Sequence, residues 1–290
     1  MLKKTYYMVG MPSSGKTTYL ASLCRLVSEA DIETLLHMDV LEVPEGMEHI
    51  EKQIQNLLAC KEVDRTLNKT QYRVQFPLTD DKGKRLDLIL PDSSGEVFRD
   101  FVRDRRILKS IADKLKDAEE ILFFINTNTM VKPEYLGVQE KSAMKMLEER
   151  KKTDLERRDD LSIENIVKRK DEKTNQAEVV DLLQCILFIK EEKARIKFII
   201  SAWDKVEKEF VQERLLPKDY LQIELPLLYQ YLKSNIDKVE YQIWGVSAQG
   251  GDFSDKKEKI KLQEGNPSRF IKVIDHEGNE SQDLTKVLYM

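Results

Sequence analysis

Cysteine and histidine are scarce in this chain: Cys 3 and His 3 among 290 residues. Cys24, Cys60 and Cys185 make no metal-ligand spacing and no disulfide framework. His37, His49 and His276 lie far apart in sequence, so zinc and histidine-based catalysis have little support. Long hydrophobic runs are missing too. The longest are short stretches such as Ile121-Leu122-Phe123-Phe124-Ile125, against about 20 residues for a membrane span. The first ten residues lack the apolar region and small-residue cleavage site of a secretory signal, so the expected location is the cytoplasm. No charge of one sign dominates. Lys+Arg 48 nearly balance Asp+Glu 52, for a net charge of -4. No global field therefore points to nucleic acid or an anionic membrane as partner.

What remains is a charged globular chain, 41% hydrophobic and 34% charged. It is long enough for one large domain or two small ones. A single domain over 1–290 is expected, with a core at about 4–250, a helical insert at about 130–175 and a C-terminal appendix at about 251–290. A strand over 4–9, a loop and a helix to about Ala30 open the chain as a βα unit. Apolar spacing predicts a helix over 44–61, then a hairpin with strands 70–78 and 85–90 around Asp80-Asp81-Lys82-Gly83. Further expected elements are a helix over 98–115, strands at 120–127, 195–201 and 239–246, and helices at 176–192 and 220–233. A short strand at 269–274 and a last helix from about Ser281 complete the list. Residues 139–175 carry 11 positive and 10 negative side chains and no glycine or proline. That balance reads as a solvated helical projection, or as a partner-binding one, rather than a nucleic-acid arm.

Gly10-Met11-Pro12-Ser13-Ser14-Gly15-Lys16-Thr17 fits G-x-x-x-x-G-K-[ST] between a predicted strand and a predicted helix. Glycine dihedrals let the backbone curl around an anion, and the amides from Gly10 through Ser13, Ser14 and Gly15 to the helix start point at phosphate. Lys16 would bridge the β- and γ-phosphates, Thr17 would ligate magnesium, and Thr18 would reach the α-phosphate. Downstream, Asp92 leaves the end of a strand and Gly95 follows it. Asp92 would hold the magnesium, and the Gly95 amide would sense the γ-phosphate.

Base recognition is expected at the ends of later strands. Guanine offers two adjacent N–H donors that one carboxylate can accept, and Asp204 is placed for this at the end of strand 195–201. The Ala248 amide, after Ser247, would donate to guanine O6. Asp204 could instead cap the helix that follows.

In this order the pieces resemble Ras-like P-loop GTPase domains of the TRAFAC type. The matching stretches are Gly10–Thr17, Asp92–Gly95, Ser201–Asp204 and Ser247–Ala248, over about residues 4 to 250. Asp-Ser-Ser-Gly-Glu, Ser-Ala-Trp-Asp and Asp283-Leu284-Thr285 look like bacterial double-GTPase proteins linked to conflict or antiviral defence. The resemblance implies a three-layer α/β fold, with a mostly parallel sheet and one antiparallel strand. It also implies magnesium as cofactor.

Three positions depart from the family pattern. Ala202 stands where the guanine motif carries a lysine, leaving Trp203 or Lys205 to compensate. Glu96 stands where a glutamine orients water, which implies slow hydrolysis, different water positioning or a side chain that faces solvent. The first-switch threonine is Thr66 or Thr70, with Arg65 beside them as a candidate internal arginine finger. Arg99, Arg103, Arg105 and Arg106 are expected as a solvated or salt-bridged helix face, with an arginine finger or partner contact as the alternative. The expected activity is slow, magnesium-dependent GTP hydrolysis to GDP, catalysed through Lys16, Glu96 and Arg65. The output would pass to a protein effector or second GTPase, with homodimerisation as a further option. A small-molecule or nucleotide kinase and a non-hydrolysing nucleotide-binding scaffold are the alternatives.

Overall fold

The computed structural model describes residues 3–61, 74–91, 96–131, 175–211 and 215–289, with Glu96 described in its backbone alone. Its strands are β1 (Lys4–Gly10), β2 (His37–Met38), β3 (Val74–Thr79), β4 (Arg85–Leu90), β5 (Glu120–Asn126), β6 (Ala194–Ser201), β7 (Val239–Ser247), β8 (Lys272–Ile274) and β9 (Glu280–Ser281). They form one sheet in the order β2-β3-β4-β1-β5-β6-β7-β8-β9. The five central strands run parallel. β3 is the expected antiparallel strand. β8, paired with β7 on the other side of the sheet, is a second one.

The helices are α1 (Lys16–Glu29), α2 (Met47–Leu58), α3 (Glu96–Asp104), α4 (Lys109–Asp117), α5 (Gln176–Lys190), α6 (Trp203–Glu209), α7 (Pro217–Glu224), α8 (Pro226–Ser234) and α9 (Lys256–Glu264). Helices cover both sheet faces, so the central strands read as unbroken apolar runs rather than alternating ones. Tyr7, Val9, Phe123, Ile125, Phe198 and Ile200 share one buried core with residues of α3 to α8. Met8, Leu122, Phe124 and Ile199 share the other with α1, α2, α9 and the C-terminal residues Leu284 and Val287. The chain therefore leaves β1 onto one face through α1, while α5, which precedes β6, covers the opposite face. A crevice results between the carboxyl ends of β1 and β5, the place where open α/β sheets bind ligands.

Three sequence expectations need correction. The helix expected over 98–115 is two helices, α3 and α4, because Arg105 turns left-handed at φ 54 and ends the first. The helix expected over 220–233 is also two. Pro226 cannot continue α7, since it has no amide to donate, and instead occupies the first turn of α8. At the C-terminus, Pro267–Phe270 and Leu284–Val287 are 3-10 turns. The strand expected over 269–274 shortens to Lys272–Ile274, and among the described residues no α-helix follows Ser281.

These C-terminal residues are tied into the sheet. Tyr6 and Tyr19 donate their hydroxyls to the Leu288 and Leu284 carbonyls at 2.8 and 2.9 Å. Asp283 accepts from the Leu35 amide at 2.9 Å and from the Thr285 amide at 2.8 Å. The Asp283-Leu284-Thr285 stretch thus anchors the tail against the loop before β2. Most of the charged insert lies outside the described residues.

Candidate functional site

The phosphate loop joins β1 to α1 in a conformation that its glycines make possible. Gly10 sits at φ 153, where a Cβ would come within 2.6 Å of Ser14 Oγ and 2.7 Å of the Phe124 carbonyl. Gly15 sits at φ 92, with Ser201 Oγ 2.9 Å from the place a Cβ would take. Side chains at either position would push the loop off the sheet. Ser13 also turns left-handed, at φ 58.

Lys16 is buried at the start of α1. Its ammonium donates to the Gly10 carbonyl at 2.8 Å, the Met11 carbonyl at 3.0 Å and Ser14 Oγ at 2.9 Å. No carboxylate is among these partners, and burial pushes the ammonium down to about 7. A buried cation held by neutral oxygens suits an anionic ligand. Thr17 and Thr18 follow in the first turn of α1, both half-buried.

Two side chains from neighbouring strands brace the loop. Asn126, at the end of β5, donates its amide to the Ser13 carbonyl at 2.8 Å. Ser201, at the end of β6, donates to the Ser14 carbonyl at 2.9 Å. Sequence reasoning placed Ser201 in the base motif but did not see this tie, and it missed Asn126 altogether. The available signal for Asn126 was a polar residue ending an apolar strand beside the phosphate loop.

A cleft of about 190 Å³ opens beside the loop. It brings together Gly15 and Thr18 with Asp204, Lys205, Ser247 and Ala248, six residues predicted from sequence. Asp204 lies in the first turn of α6 but does not cap it; Ala202 is the capping residue and offers no side-chain bond. Instead Asp204 accepts the Ser247 hydroxyl at 2.6 Å, and its other oxygen lies 3.7 Å from Lys208 Nζ. Lys205 pairs at 2.9 Å with Asp252, another lining residue. Ser254 first, and Lys205 second, hold the Asp252 carboxyl well below the usual carboxylate range. No sequence signal marks Asp252, because its partner lies on a different element.

Trp203 does not lie along this cleft. It is fully buried under β7, against Gly245 and Tyr220. Of the two residues expected to compensate for Ala202, only Lys205 lines the cleft. Arg103 pairs with Asp100 and Asp104, and Arg105 pairs with Asp181 beyond the end of α3, so these two are salt-bridged surface groups. Arg65, Thr66, Thr70, Asp92, Gly95 and the Glu96 side chain lie outside the described residues.

Comparison with known proteins gives the family. The family model described as Double-GTPase 1 matches residues 7–290. No curated protein matches the chain. Among solved structures, the bacterial selenocysteine-specific elongation factor EF-Sec is similar at 15% identity and a TM-score of 0.38, over 92% of this chain and 30% of that one. The G domain of the T. maritima FeoB iron transporter is similar at 12% identity and a TM-score of 0.32, over 91% of this chain and 100% of that one. Aquifex aeolicus Era bound to GDP and AlF4 is similar at 15% identity and a TM-score of 0.36, over 91% of this chain and 57% of that one. The chain thus spans less than a third of EF-Sec, and at these scores the family assignment rests on the family model. With that match over nearly its whole length, the chain belongs to the double-GTPase 1 family.

Proposed function

We propose that this protein is a magnesium-dependent guanine-nucleotide switch that hydrolyses GTP slowly and passes its state to a protein partner. The observation that carries the reading is the cleft in which the phosphate loop, through Gly15 and Thr18, meets Asp204, Ser247 and Ala248. The loop amides from Gly10 to Gly15 and Lys16 hold the phosphates. Asp204 accepts the two N–H donors of guanine, oriented by the Ser247 hydroxyl, and the Ala248 amide donates to O6. The Lys205 stem lies along the base in place of the missing lysine.

The residues at hand fit magnesium. β1 and β4 are parallel neighbours, so β4 ends at Leu90, two residues before Asp92 in the sequence, at the same end of the sheet as the phosphate loop. Thr17 is half-buried beside Lys16 at that end. A hydroxyl and a carboxylate are the hard oxygen donors magnesium takes. Thr17, Asp92 and Thr66 or Thr70 would hold the ion, which when bound neutralises phosphate charge. Glu96 in place of a water-orienting glutamine makes hydrolysis slow, with Lys16 and Arg65 offsetting charge on the γ-phosphate. The γ-phosphate orders Thr66–Thr70 and the Gly95 segment, and its loss releases them. The 139–175 insert offers the surface for an effector, a second GTPase or another copy of this chain.

The test is equilibrium binding of GTP and of ATP, with and without magnesium, to wild type and Asp204→Ala. Expected is a GTP preference that falls by about 10² in the variant, since a polar site rejects a ligand that leaves its groups unpaired. ATP binding should change little. Equal affinities in wild type, or an ATP preference indifferent to Asp204, would sink the guanine reading and favour a kinase.

A further inference from the structure

Two lysines flank Asp204 on α6, and each is held by a carboxylate outside that helix. Lys205 pairs with Asp252 at 2.9 Å. Lys208, one turn after Asp204, hydrogen-bonds Glu258 Oε1 in α9, while its ammonium lies 3.7 Å from Asp204 Oδ2. We propose that Glu258 is a positioning residue for guanine selectivity: it holds Lys208 off Asp204 and so leaves that carboxylate to the base. The inference rests on the reading of Asp204 given above.

The competition is for one oxygen. Asp204 Oδ1 accepts the Ser247 hydroxyl at 2.6 Å, so Oδ2 is the oxygen with more room for a new donor. Lys208 stands next to it. The ammonium and the N–H edge of guanine are both donors, and each would take the same acceptor. Side chains at i and i+4 face each other on a helix, so Lys208 needs only a rotamer change to close on Asp204. At 3.7 Å the two make an ion pair without a hydrogen bond.

Glu258 is itself held in place. It lies in the first turn of α9, which Asp255 caps by accepting from the Lys257 and Glu258 amides at 2.8 and 3.1 Å. Its two oxygens serve different donors. Oε1 takes Lys208, and Oε2 takes the Asp252 amide at 2.7 Å. The Gly251 backbone approaches so closely that a Cβ there would come within 3.1 Å of Oε2. The carboxylate therefore cannot follow Lys208 toward Asp204 without giving up the loop after β7.

The test uses the full chain with GDP and ADP, and calorimetry reads the ratio of their affinities. The ratio removes the effect of net charge, which acts on both nucleotides alike. Glu258→Gln keeps an oxygen for the Asp252 amide and loses the charge that holds Lys208. It should lower the preference for GDP over ADP about threefold, the scale of one exposed ion pair. Lys208→Met removes the competitor and should leave the preference at or above that of wild type. The double variant should match Lys208→Met. Lys208 and Glu258 reach solvent, at 49% and 29% exposure, so all three variants should fold, and thermal midpoints check this.

An unchanged preference in Glu258→Gln, a lower one in Lys208→Met, or a double variant as poor as Glu258→Gln overturns the proposal. Asp204→Ala separates the two readings. If it abolishes the guanine preference while Glu258→Gln leaves it intact, Glu258 plays no part and the reading of Asp204 stands. If Asp204→Ala keeps the preference, both fall.

Discussion

On the proposed reading, the two halves of the nucleotide cleft are built in opposite ways. The phosphate half is one short, continuous stretch, Gly10 to Thr18. It works through backbone direction, two glycines and one buried cation. The base half is gathered from the ends of β5, β6 and β7 and the loop that follows β7. It works through side chains that hold one another: Ser247 on Asp204, Lys205 on Asp252. The first arrangement tolerates little change, because each residue fixes its neighbour's dihedrals. The second can lose one member, as Ala202 shows, while another residue lines the same wall. An anion needs only converging donors, but discrimination between bases needs specific acceptors.

The sharpest break of this contrast is Lys16→Ala. The variant should lose GTP and GDP binding by roughly 10² or more, because charged hydrogen bonds to phosphate are each worth about 1.5–3 kcal/mol. Calorimetry on both nucleotides, and on ATP, measures it. The loss should be indifferent to the base, whereas Asp204→Ala separates GTP from ATP. The thermal midpoint without nucleotide should hold or rise, since the substitution removes a buried cation that has no carboxylate partner among the described residues. A base-selective loss in Lys16→Ala would remove the division between the halves.

The same contrast explains what could be read from sequence. The phosphate loop was legible because all its chemistry is local and its spacing is fixed by one turn. The central strands were legible because sheets covered on both faces demand long apolar runs, as in Ile121 to Ile125. Ser247 was legible as a strand-end residue, and Asp204 as one just past a strand end, where it falls in the first turn of α6. Their mutual hydrogen bond was not, nor was the Lys205–Asp252 pair, since both join elements distant in sequence. The apolar spacing of Tyr220 to Lys233 passed over Pro226, whose missing amide ends one helix and starts another. Trp203 looked like a base platform by its place in the motif. Only Gly245, a full strand away, reveals that the ring turns inward.

A milder test acts at the seam between the halves. Ser201→Ala removes the donor that ties β6 to the Ser14 carbonyl at 2.9 Å. The expected cost is about 1 kcal/mol of stability, as for one buried hydrogen bond. Nucleotide affinity should fall about fivefold, equally for GTP and ATP, because the tie sets loop position and carries no base information. Denaturant melts and the two binding constants check both parts. A guanine-selective loss would place Ser201 with the base half instead.

The smallest effect is a dependence on pH that belongs to the phosphate half alone. Burial pushes the Lys16 ammonium down to about 7, against an ordinary 10.5 in the unfolded chain. Without nucleotide, the unfolded state therefore holds more protons between these values, so stability should rise as pH climbs from about 7. The buried charge is a penalty that is fully present below the folded value and relieved above it. Bound phosphate reverses the preference, because an anion beside the ammonium favours its charged form. Binding should then take up close to one proton at pH 8.5 and little at pH 6, and affinity should weaken as pH rises between them. Calorimetry in two buffers of different ionisation enthalpy counts that proton directly. The uptake should vanish in Lys16→Ala and persist in Asp204→Ala, which assigns the proton to the loop rather than to the base pocket.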